Sequence, residues 1–223
     1  MPLAVLYDIH GNLPALEAVL ADARLAGADG YLLGGDYCAF GPWPHRTLEL
    51  LYTVEDATWI RGNGERWLIE SDEVPDQAPT DAAIAELSPN DIDRLYALPT
   101  SVELDGVLYV HGSPRSDVES FAPTPQAGEE ALLADVADRT VVFGHSHVQF
   151  RRPGPRGTYL INPGSVGMPL DGDTRAAWAV RDDEGGFEFR RTEYDVERAV
   201  AKARELGGSW GEKIAHRLAH ASD

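Results

Sequence analysis

The chain has 223 residues, a length that suits one domain of generous size, and its 43% hydrophobic content is enough to build a core. Its 37 acidic residues outnumber 19 basic ones, and the formal charge of −18 disfavours nucleic acid as a partner, because such binding relies on Lys and Arg. The same charge disfavours an anionic membrane surface. No apolar run approaches the roughly 20 residues that cross a bilayer.

The N-terminus and the cysteine content indicate the compartment. The first residues lack the basic region of a secretory signal, and their short apolar segment runs directly into Asp8. The single cysteine, Cys38, cannot form an internal disulfide, which fits a reducing environment. We therefore expect a soluble cytoplasmic protein.

Apolar runs followed by short polar loops organise the first part of the chain. Leu3 to Tyr7 predicts a strand buried on both faces, followed by a helix with Pro14 near its first position and Gly27 at its end. The pattern repeats at Tyr31 to Leu33, whose loop leads to a helix after Pro44. Such repeated units are typical of an α/β protein.

The same alternation continues towards the C-terminus. Further strands are predicted at 58–60, 107–110, 140–143 and 158–161. A hairpin is predicted from 176–181 and 187–191, and terminal helices from 195–206 and 209–220. In α/β folds, loops at the carboxyl ends of strands carry the ligands, so polar residues just after each strand are the candidate site.

Residues 71–100 interrupt the alternation. Residues 71–79 are acidic and contain proline, which predicts a loop. Two short helices are expected next, one from Asp81 to Leu87 and one capped by Ser88 with Pro89 at its start. We interpret this segment as a helical flap near the site, because it is too small to form a domain.

Side chains able to bind metal lie in five short blocks, each directly after a predicted strand. They are Asp8, His10, Asp36, Asn63, His111, His145 and His147. Alternate residues of an extended chain point the same way, so each Asp-x-His or His-x-His pair can reach one ion. A ligand set delivered from consecutive strand ends is what a two-metal hydrolytic site needs.

Taken singly, most of these residues have a simpler explanation. Asp36 after two glycines and Asn63 between two glycines are also typical of turns, and a lone His111 is more typical of a structural histidine. The His145–His147 pair is the most metal-like local pattern. The joint arrangement favours a metal site, since four of the seven histidines follow strands beside glycine. The other histidines, interpreted as surface residues, are His45, His216 and His220.

The order Asp-x-His, Gly-Asp, Gly-Asn, His and Gly-His-x-His over residues 8–147 resembles the calcineurin-like metallophosphoesterase superfamily. The segments at 41–44 (Gly-Pro-Trp-Pro), 111–115 (His-Gly-Ser-Pro-Arg) and 162–167 (Asn-Pro-Gly-Ser-Val-Gly) are similar to its small prokaryotic, phosphodiesterase-like branch. The resemblance implies a four-layer α/β/β/α sandwich, in which two mixed sheets pack face to face with helices outside. It also implies a single metallophosphoesterase domain over residues 1–223, with a helical insertion at about 71–100.

Carried over block by block, the resemblance implies two divalent metal ions. One ion would be bound by Asp8, His10 and His147, the other by Asn63, His111 and His145, and Asp36 would bridge them. With nitrogen and oxygen donors and no thiolate, Mn, Fe, Zn, Ni or Co suits the site better than Mg or Ca alone, and we favour Mn. A hydroxide bridging the ions would attack phosphorus in line. The predicted catalytic residues are accordingly Asp36, Asn63 and His111.

The block at Asn63 departs from the family pattern. Many members place a histidine directly after the metal-binding Asn, where it can act as general acid, whereas this chain has Gly64 and then Glu65. Protonation of the leaving oxygen contributes about 10²- to 10⁴-fold, so its loss favours activated or diester substrates. Glu65 or Glu70 could supply the proton, although surface glutamates at the start of a helix explain both residues more simply.

Two residues are candidates for substrate binding. Arg115, four residues beyond His111, is predicted to clamp a phosphate, and an ordinary surface arginine is an equally good explanation. Asn12 is predicted to position a ligand or substrate oxygen.

The resulting prediction is a dinuclear-metal-dependent phosphoesterase that hydrolyses small anionic phosphate esters, with phosphodiesters favoured and nucleotides among the candidates. Phosphomonoesterase or protein phosphatase-like activity stays open, as does a homo-oligomer. An alternative from another class is a non-catalytic binding or scaffold protein on the phosphoesterase fold, which the retained ligands argue against. A DNA nuclease is disfavoured by the charge of the chain.

Overall fold

Two mixed five-stranded sheets form the centre of the protein. The computed structural model describes residues 2–70, 74 and 77–223. The strands within these residues are β1 (Leu3–Leu6), β2 (Gly30–Leu33), β3 (Ala57–Trp59), β4 (Ser101–Leu104), β5 (Val107–Val110), β6 (Thr140–Val142), β7 (Phe150–Pro153), β8 (Tyr159–Asn162), β9 (Ala176–Arg181) and β10 (Phe187–Thr192). The helices there are α1 (Leu13–Leu25), α2 (Pro44–Leu51), α3 (Asn63–Trp67), α4 (Ala78–Glu86), α5 (Pro89–Tyr96), α6 (Glu129–Leu132), α7 (Val196–Glu205) and α8 (Gly208–His220).

Parallel strands occupy the middle of both sheets. The first sheet has the order β10-β9-β1-β2-β3, and the second has the order β4-β5-β6-β8-β7. Strands β1, β2 and β3 run parallel, as do β5, β6 and β8. The remaining strand pairs of both sheets are antiparallel. The loops after the parallel strands therefore leave each sheet at its carboxyl edge.

Side-chain alternation along β1 divides the core into two layers. Ala4 and Leu6 pack with helix α1 outside the first sheet. Val5 and Tyr7 point the other way and pack with side chains of the second sheet, such as Tyr109. Helix α6 and the chain around it cover the opposite face of the second sheet. The prediction of a four-layer α/β/β/α sandwich is confirmed.

Two edge strands were not predicted from the sequence. Strand β4 reads Ser-Val-Glu-Leu and β7 reads Phe-Arg-Arg-Pro, so neither contains the apolar run that marks the central strands. Pairing with β5 and β8 makes these segments strands, which shows tertiary context overriding a weak local pattern.

The predicted loop at 71–79 needs a correction. Residues 71–73 and 75–76 lie outside the described residues, whereas Ala78 and Pro79 are helical, because α4 begins three residues before the predicted start at Asp81. Pro79 is compatible with a first helical turn, where no intrahelical partner needs its missing N–H.

The interpretation of this segment as a flap is wrong for residues 78–96. Helix α4 packs on α2 and α5 packs on α3. Ala83, Leu87 and Leu95 are buried in the core outside the first sheet. These helices therefore form part of a packed layer. The single domain with a helical insertion at about 71–100 stays a prediction.

The C-terminal helices α7 and α8 pack against each other, and α7 also packs against α1. Their buried residues share a cluster with Leu13, Trp43 and Met168, all of which lie close to the polar loops. Among the described residues, no helix is both long and apolar enough to cross a membrane.

Candidate metal centre

The loops that follow β1, β2, β3, β5 and β6 meet at one edge of the sandwich and bring all seven predicted metal-binding side chains together. We call Asp8, His10 and His147 the first cluster, and Asp36, His111 and His145 the second cluster. Within each cluster the possible ligand atoms lie within 4.8 Å of one another, which is close enough to surround a single ion.

The first cluster is buried. Asp8 is 0% exposed, His10 is 4% exposed and His147 is 7% exposed. The Nε2 atoms of His10 and His147 face each other at 3.0 Å, and Oδ1 of Asp8 lies 3.6 Å from Nε2 of His147. Only one of these two Nε2 atoms can donate a hydrogen bond to the other, whereas a cation between them could be bound by the lone pairs of both. The geometry therefore suits a shared cation.

The second cluster lies beside the first, and Asp36 reaches both. Oδ1 of Asp36 is 3.5 Å from Nε2 of His111, and its Oδ2 is 3.8 Å from Nε2 of His10. Oδ1 of Asp8 also lies 3.8 Å from Nε2 of His111. The two clusters thus form one continuous centre with a carboxylate between them.

Asn63 completes the second cluster. Its amide oxygen faces Nε2 of His111 at 3.0 Å and Nδ1 of His145 at 2.8 Å. The reversed amide would instead donate hydrogens to both imidazoles and to the backbone oxygen of Asp117 at 3.1 Å. A bound cation would favour the first orientation, because the amide oxygen is the atom of Asn63 that can be a ligand.

An orphaned acceptor supports a fit between these residues and metal ions. Oδ1 of Asp8 is fully buried and has no hydrogen-bond partner among the described residues. A buried carboxylate oxygen without a partner is unfavourable, and a cation at this position would satisfy it. The donor set of imidazole nitrogens and carboxylate or amide oxygens suits Mn, Fe, Zn, Ni or Co.

Backbone carbonyls orient three of the four imidazoles. Nδ1 of His10 lies 2.9 Å from the oxygen of Ala39, Nδ1 of His147 lies 2.7 Å from that of Met168, and Nδ1 of His111 lies 2.9 Å from that of Gly34. A proton on each Nδ1 leaves the lone pair of Nε2 directed into the centre, as in other metal sites with anchored histidines. Nδ1 of His145 faces Asn63 instead.

The ligand-bearing backbone adopts an uncommon conformation. Positive φ angles occur at Asp8 (54°), His10 (48°), Asp36 (57°), His145 (63°) and His147 (57°). Residues other than glycine rarely adopt this left-handed region, and strained conformations cost about 1–3 kcal/mol each. The extended-chain rationale for each pair was therefore wrong, although the pairs do converge. The convergence comes from left-handed turns past the strand ends.

Two glycines allow the loops to approach one another. At Gly35, whose φ is +96°, an added Cβ would lie 2.6 Å from the backbone nitrogen of Gly62 and 2.8 Å from Nδ1 of His111. At Gly62, an added Cβ would lie 2.3 Å from Oδ1 of Asp36. Any side chain at these positions would push the second cluster apart.

Burial sets most of the proton affinities in the first cluster. It raises the pKa of Asp8 to about 8, with a further contribution from the charge of Asp36. Burial also lowers the pKa of His10 and lowers the pKa of His147 well below its ordinary value. Neutral imidazoles are the form that binds metal.

The second cluster behaves differently because its members pair with each other. Burial alone would lower the pKa of His111, but the carboxylates of Asp36 and Asp8 raise it to about 10. Burial acts against the ionised form of Asp36, yet the charge and hydrogen bond of His111 lower the pKa of that carboxyl. Burial and the charge of His111 lower the pKa of His145 to about 4.

Glu65 is a residue whose setting the sequence analysis missed. It was interpreted as a surface glutamate, but it is 0% exposed. Its carboxylate accepts hydrogen bonds from the backbone N–H groups of Asp36 (2.8 Å), Tyr37 (2.8 Å) and Gly62 (2.9 Å). Burial, followed by the charge of Asp36, raises its pKa to about 7. Glu65 therefore ties two ligand loops together. Glu70 is exposed, as expected.

The interpretation of Asn12 as a substrate-binding residue also needs a correction. Its side-chain oxygen caps α1 by accepting a hydrogen bond from the N–H of Ala15 at 3.3 Å. Its amide nitrogen donates to the backbone oxygen of Gly167 at 2.8 Å and to the hydroxyl of Tyr194 at 3.3 Å. The amide hydrogens are thus committed to the protein, and the residue has a structural role.

Arg115 lies on the rim of a cavity that His111 also lines. The side chain is 54% exposed, and its Nη1 is 3.5 Å from a carboxylate oxygen of Asp135, which is 81% exposed. Its position beside the second cluster is compatible with contact to an anionic substrate.

The opposite flank of the centre is aromatic. The ring of Phe40 packs edge-on to His10, with centroids 5.9 Å apart. Trp67 of α3 and Trp210 of α8 lie 5.8 Å and 5.6 Å from Phe40. Tyr37 belongs to the core, where its hydroxyl lies 2.6 Å from the backbone oxygens of both Leu33 and Ile60.

Comparisons with known proteins agree with this geometry. The model of the calcineurin-like phosphoesterase superfamily domain matches residues 1–184. An uncharacterized protein of Methanocaldococcus jannaschii is 29% identical over 231 aligned residues, which cover 90% of each chain. A metallophosphoesterase from Sphaerobacter thermophilus has a crystal structure with a TM-score of 0.83 at 28% identity, over 99% of each chain.

A hypothetical protein from Pyrococcus horikoshii has the same fold, with a TM-score of 0.83 at 24% identity, over 100% of this chain and 99% of its own. The match to the superfamily domain ends before α7 and α8, whereas these two solved structures cover the helices as well. The region of α7 and α8 therefore lies outside the match to the superfamily domain and within both structural alignments.

Proposed function

Because the chain belongs to the calcineurin-like phosphoesterase superfamily, we propose that it is a dinuclear-metal-dependent phosphoesterase that hydrolyses small anionic phosphate esters. Phosphodiesters are the favoured class, and nucleotides are candidates within it. The observation that carries the proposal is the position of Asp36, whose oxygens lie 3.5 Å and 3.8 Å from nitrogens of opposite clusters. A carboxylate shared between two ligand sets suits a pair of ions.

The proposed metal ligands are the side chains that converge at the strand ends, namely Asp8, His10, Asp36, Asn63, His111, His145 and His147. Two divalent ions, with manganese as the proposed metal, would supply positive charge to attract the ester and an activated nucleophile at neutral pH. The local positive charge would also explain how a chain with a net charge of −18 binds an anion.

Asp36, Asn63 and His111 are the proposed catalytic residues. Asp36 lies between the two clusters, and Asn63 and His111 lie beside it in the second cluster, where an ester would meet the proposed ions. The carbonyl of Gly34 holds the ring of His111, and the carboxylate of Glu65 holds the backbone of Asp36. Arrangement of these groups before the substrate binds reduces the reorganisation that the reaction requires.

The residues after Asn63 suit leaving groups that depart without a strong acid. The N–H of Gly64 donates to Oδ1 of Asp36 at 2.6 Å, and three backbone N–H groups occupy the carboxylate of Glu65. Neither residue is arranged to give a proton to a leaving oxygen. This arrangement favours activated esters and diesters over simple alkyl monoesters.

The test combines metal analysis with turnover. Protein purified without chelator is expected to contain about two equivalents of transition metal per chain and to hydrolyse an aryl phosphodiester with added Mn. Asp36→Ala and His111→Ala are expected to lower both metal content and turnover, while circular dichroism shows the fold retained. His216→Ala removes an exposed histidine from α8 and is the matched control. Unchanged turnover in Asp36→Ala would remove the assignment.

The alternative from another class is a scaffold protein without catalysis. The convergence of two carboxylates and four imidazoles argues against it, because burying so many ionisable groups is costly for a fold that does not use them. Purified protein without transition metal, combined with no hydrolysis of diesters or monoesters under several metals, would favour the scaffold.

A further inference from the structure

A cavity of about 420 Å³ opens beside His111, on the side of the second cluster. Its walls come from α3, from the start of β4 and from the loop after β5, which contribute Arg66, Ser101 and Arg115 among others. This volume lies within the range of roughly 300–1,000 Å³ found for small-molecule sites. Because His111 lines it, a group bound there would lie next to the reacting phosphate of an ester held at the centre.

The wall of this cavity is polar. Its described lining residues include four that carry hydroxyl groups, namely Thr100, Ser101, Ser113 and Ser116, and no Phe, Tyr or Trp. The hydroxyl of Ser113 donates to the backbone oxygen of Ser116 at 3.2 Å, which fixes that turn, whereas Thr100 and Ser101 are exposed. Such a wall offers hydrogen bonds to hydroxyl groups and no aromatic ring for stacking a nucleobase.

The cavity also contains two guanidinium groups. Nε and Nη2 of Arg66 donate to the carboxylate of Asp117 at 2.7 Å and 2.9 Å, so the charge of this arginine is largely balanced. Arg115 contacts Asp135 at 3.5 Å, and both side chains are mostly exposed. An exposed ion pair contributes little to stability, so Arg115 can exchange Asp135 for a bound anion at small cost.

The flank beside His10 has the opposite chemistry. Three aromatic rings cluster there: the ring centroids of Trp67 and Trp210 lie 5.8 Å and 5.6 Å from that of Phe40. Aromatic rings therefore lie on the side of His10, whereas the apolar residues that line the cavity beside His111 are aliphatic, namely Val110, Pro114 and Val118. The two flanks of the centre thus differ in their chemistry.

We infer that the cavity beside His111 is the leaving-group subsite and takes a polyhydroxylated group that carries its own phosphate, such as a sugar phosphate, with Arg115 contacting that second phosphate. The inference rests on the proposed function. In the reaction, the oxygen of a water molecule forms a bond to phosphorus, the P–O bond to the sugar oxygen breaks, and a proton of that water passes to the sugar oxygen. The products are a phosphomonoester and a sugar phosphate alcohol, which the cavity releases.

The first arm of the test measures binding without catalysis. The probe is 1-O-methylribose 5-phosphate, compared with the same sugar lacking phosphate, and titrated calorimetrically into EDTA-treated protein whose fold is checked by circular dichroism. Chelation removes any ion that could hold the phosphate elsewhere. The phosphorylated sugar is expected to bind about tenfold more tightly, because a charge-assisted hydrogen bond to Arg115 is gained. Arg115→Gln should abolish the difference, and Arg115→Lys should retain part of it.

The matched control is Arg139→Gln, which removes a partly exposed arginine paired with Glu103 outside the cavity. It is expected to bind both probes as wild type does. Equal binding of the two sugars to wild-type protein, or equal weakening by Arg139→Gln and Arg115→Gln, would overturn the inference.

The second arm uses Mn-loaded protein and two diesters of the same sugar, which differ only in the 5-phosphate. The ratio of their kcat/KM values is expected to favour the phosphorylated diester about tenfold, and to approach one in Arg115→Gln. A ratio near one in wild type, while an aryl diester is hydrolysed, overturns the subsite and leaves the phosphoesterase assignment standing. No turnover of any diester overturns the proposed function and the leaving-group role with it, and the binding arm then decides only whether Arg115 binds a sugar phosphate in the cavity.

Discussion

The two clusters of the metal centre contain the same residue types, one carboxylate and two histidines each, but differ in how the protein holds them. In the first cluster all side chains are buried, and both imidazoles are anchored on carbonyls, those of Ala39 and Met168. In the second, His145 is partly exposed, and its Nδ1 faces the side-chain oxygen of Asn63 instead of a backbone carbonyl. One cluster is built into the scaffold, and the other faces the cavity.

This difference shows how a site can be both rigid and accessible to substrate. The first cluster lies under Phe40 and next to the C-terminal helices, so packing protects it. The second cluster depends on hydrogen bonds between loops, above all those that Glu65 accepts from Asp36, Tyr37 and Gly62. Packing therefore preserves one half of the centre, while a buried polar network preserves the half that meets substrate.

The largest expected effect follows removal of that network. Glu65→Ala would leave three buried N–H groups without acceptors, at about 1–3 kcal/mol each, so we expect a loss of about 3 kcal/mol or more in the free energy of unfolding. The metal content of the second cluster should fall before that of the first. Urea unfolding and metal analysis measure the two effects, with exposed Glu70→Ala as control. An unaltered metal content would contradict the positioning role of Glu65.

Metal binding itself should distinguish the clusters. At a hundredfold excess over its dissociation constant, each Mn site is expected to add about 2.7 kcal/mol to the free energy of unfolding, which chelation removes. The preorganised first cluster should fill at the lower metal concentration, so a calorimetric titration should show two steps. A titration that shows one metal-binding step, or none, would contradict the proposal that each cluster binds an ion.

Histidine replacements sharpen the same comparison. His10→Ala should destabilise the metal-loaded protein by about 1–3 kcal/mol, because it leaves the buried carbonyl of Ala39 without its partner and removes a proposed metal ligand. His145→Ala should have a smaller effect on stability, since water can replace a partly exposed ring. Thermal unfolding of both variants measures the difference, and equal shifts would show that burial does not separate the clusters.

The smallest expected effect concerns Asn12, next to the first cluster. Asn12→Ala removes the cap of α1 and should lower stability by about 1 kcal/mol without changing KM for an aryl diester. Exposed Asn90→Ala in α5 is the control and should change neither. A large rise in KM with stability retained would restore the substrate-binding role that the structure argues against.

Much of the centre could be predicted because its ligands follow strands in chain order. Strands such as β1 and β2 are apolar runs, and parallel pairing places their ends together, so Asp8 and Asp36 had to meet. The local explanation failed, since positive φ angles at His10 and His147 arise from turns that the pattern of residues does not encode. The sequence did not predict edge strand β4 for a related reason: its pairing with β5, not its composition, makes it a strand.

The sequence by itself determined the type of chemistry: which side chains are available, their order along the strands, and the family whose pattern they match. Only the tertiary structure decided that Glu65 is buried, that Asn12 is a cap, and that one flank of the centre is aromatic while the other is polar. The physical reason is distance along the chain. Ligand identity and strand order are local properties, whereas burial, charge pairing and cavity walls arise where distant segments such as α8 and the loop after β5 come together.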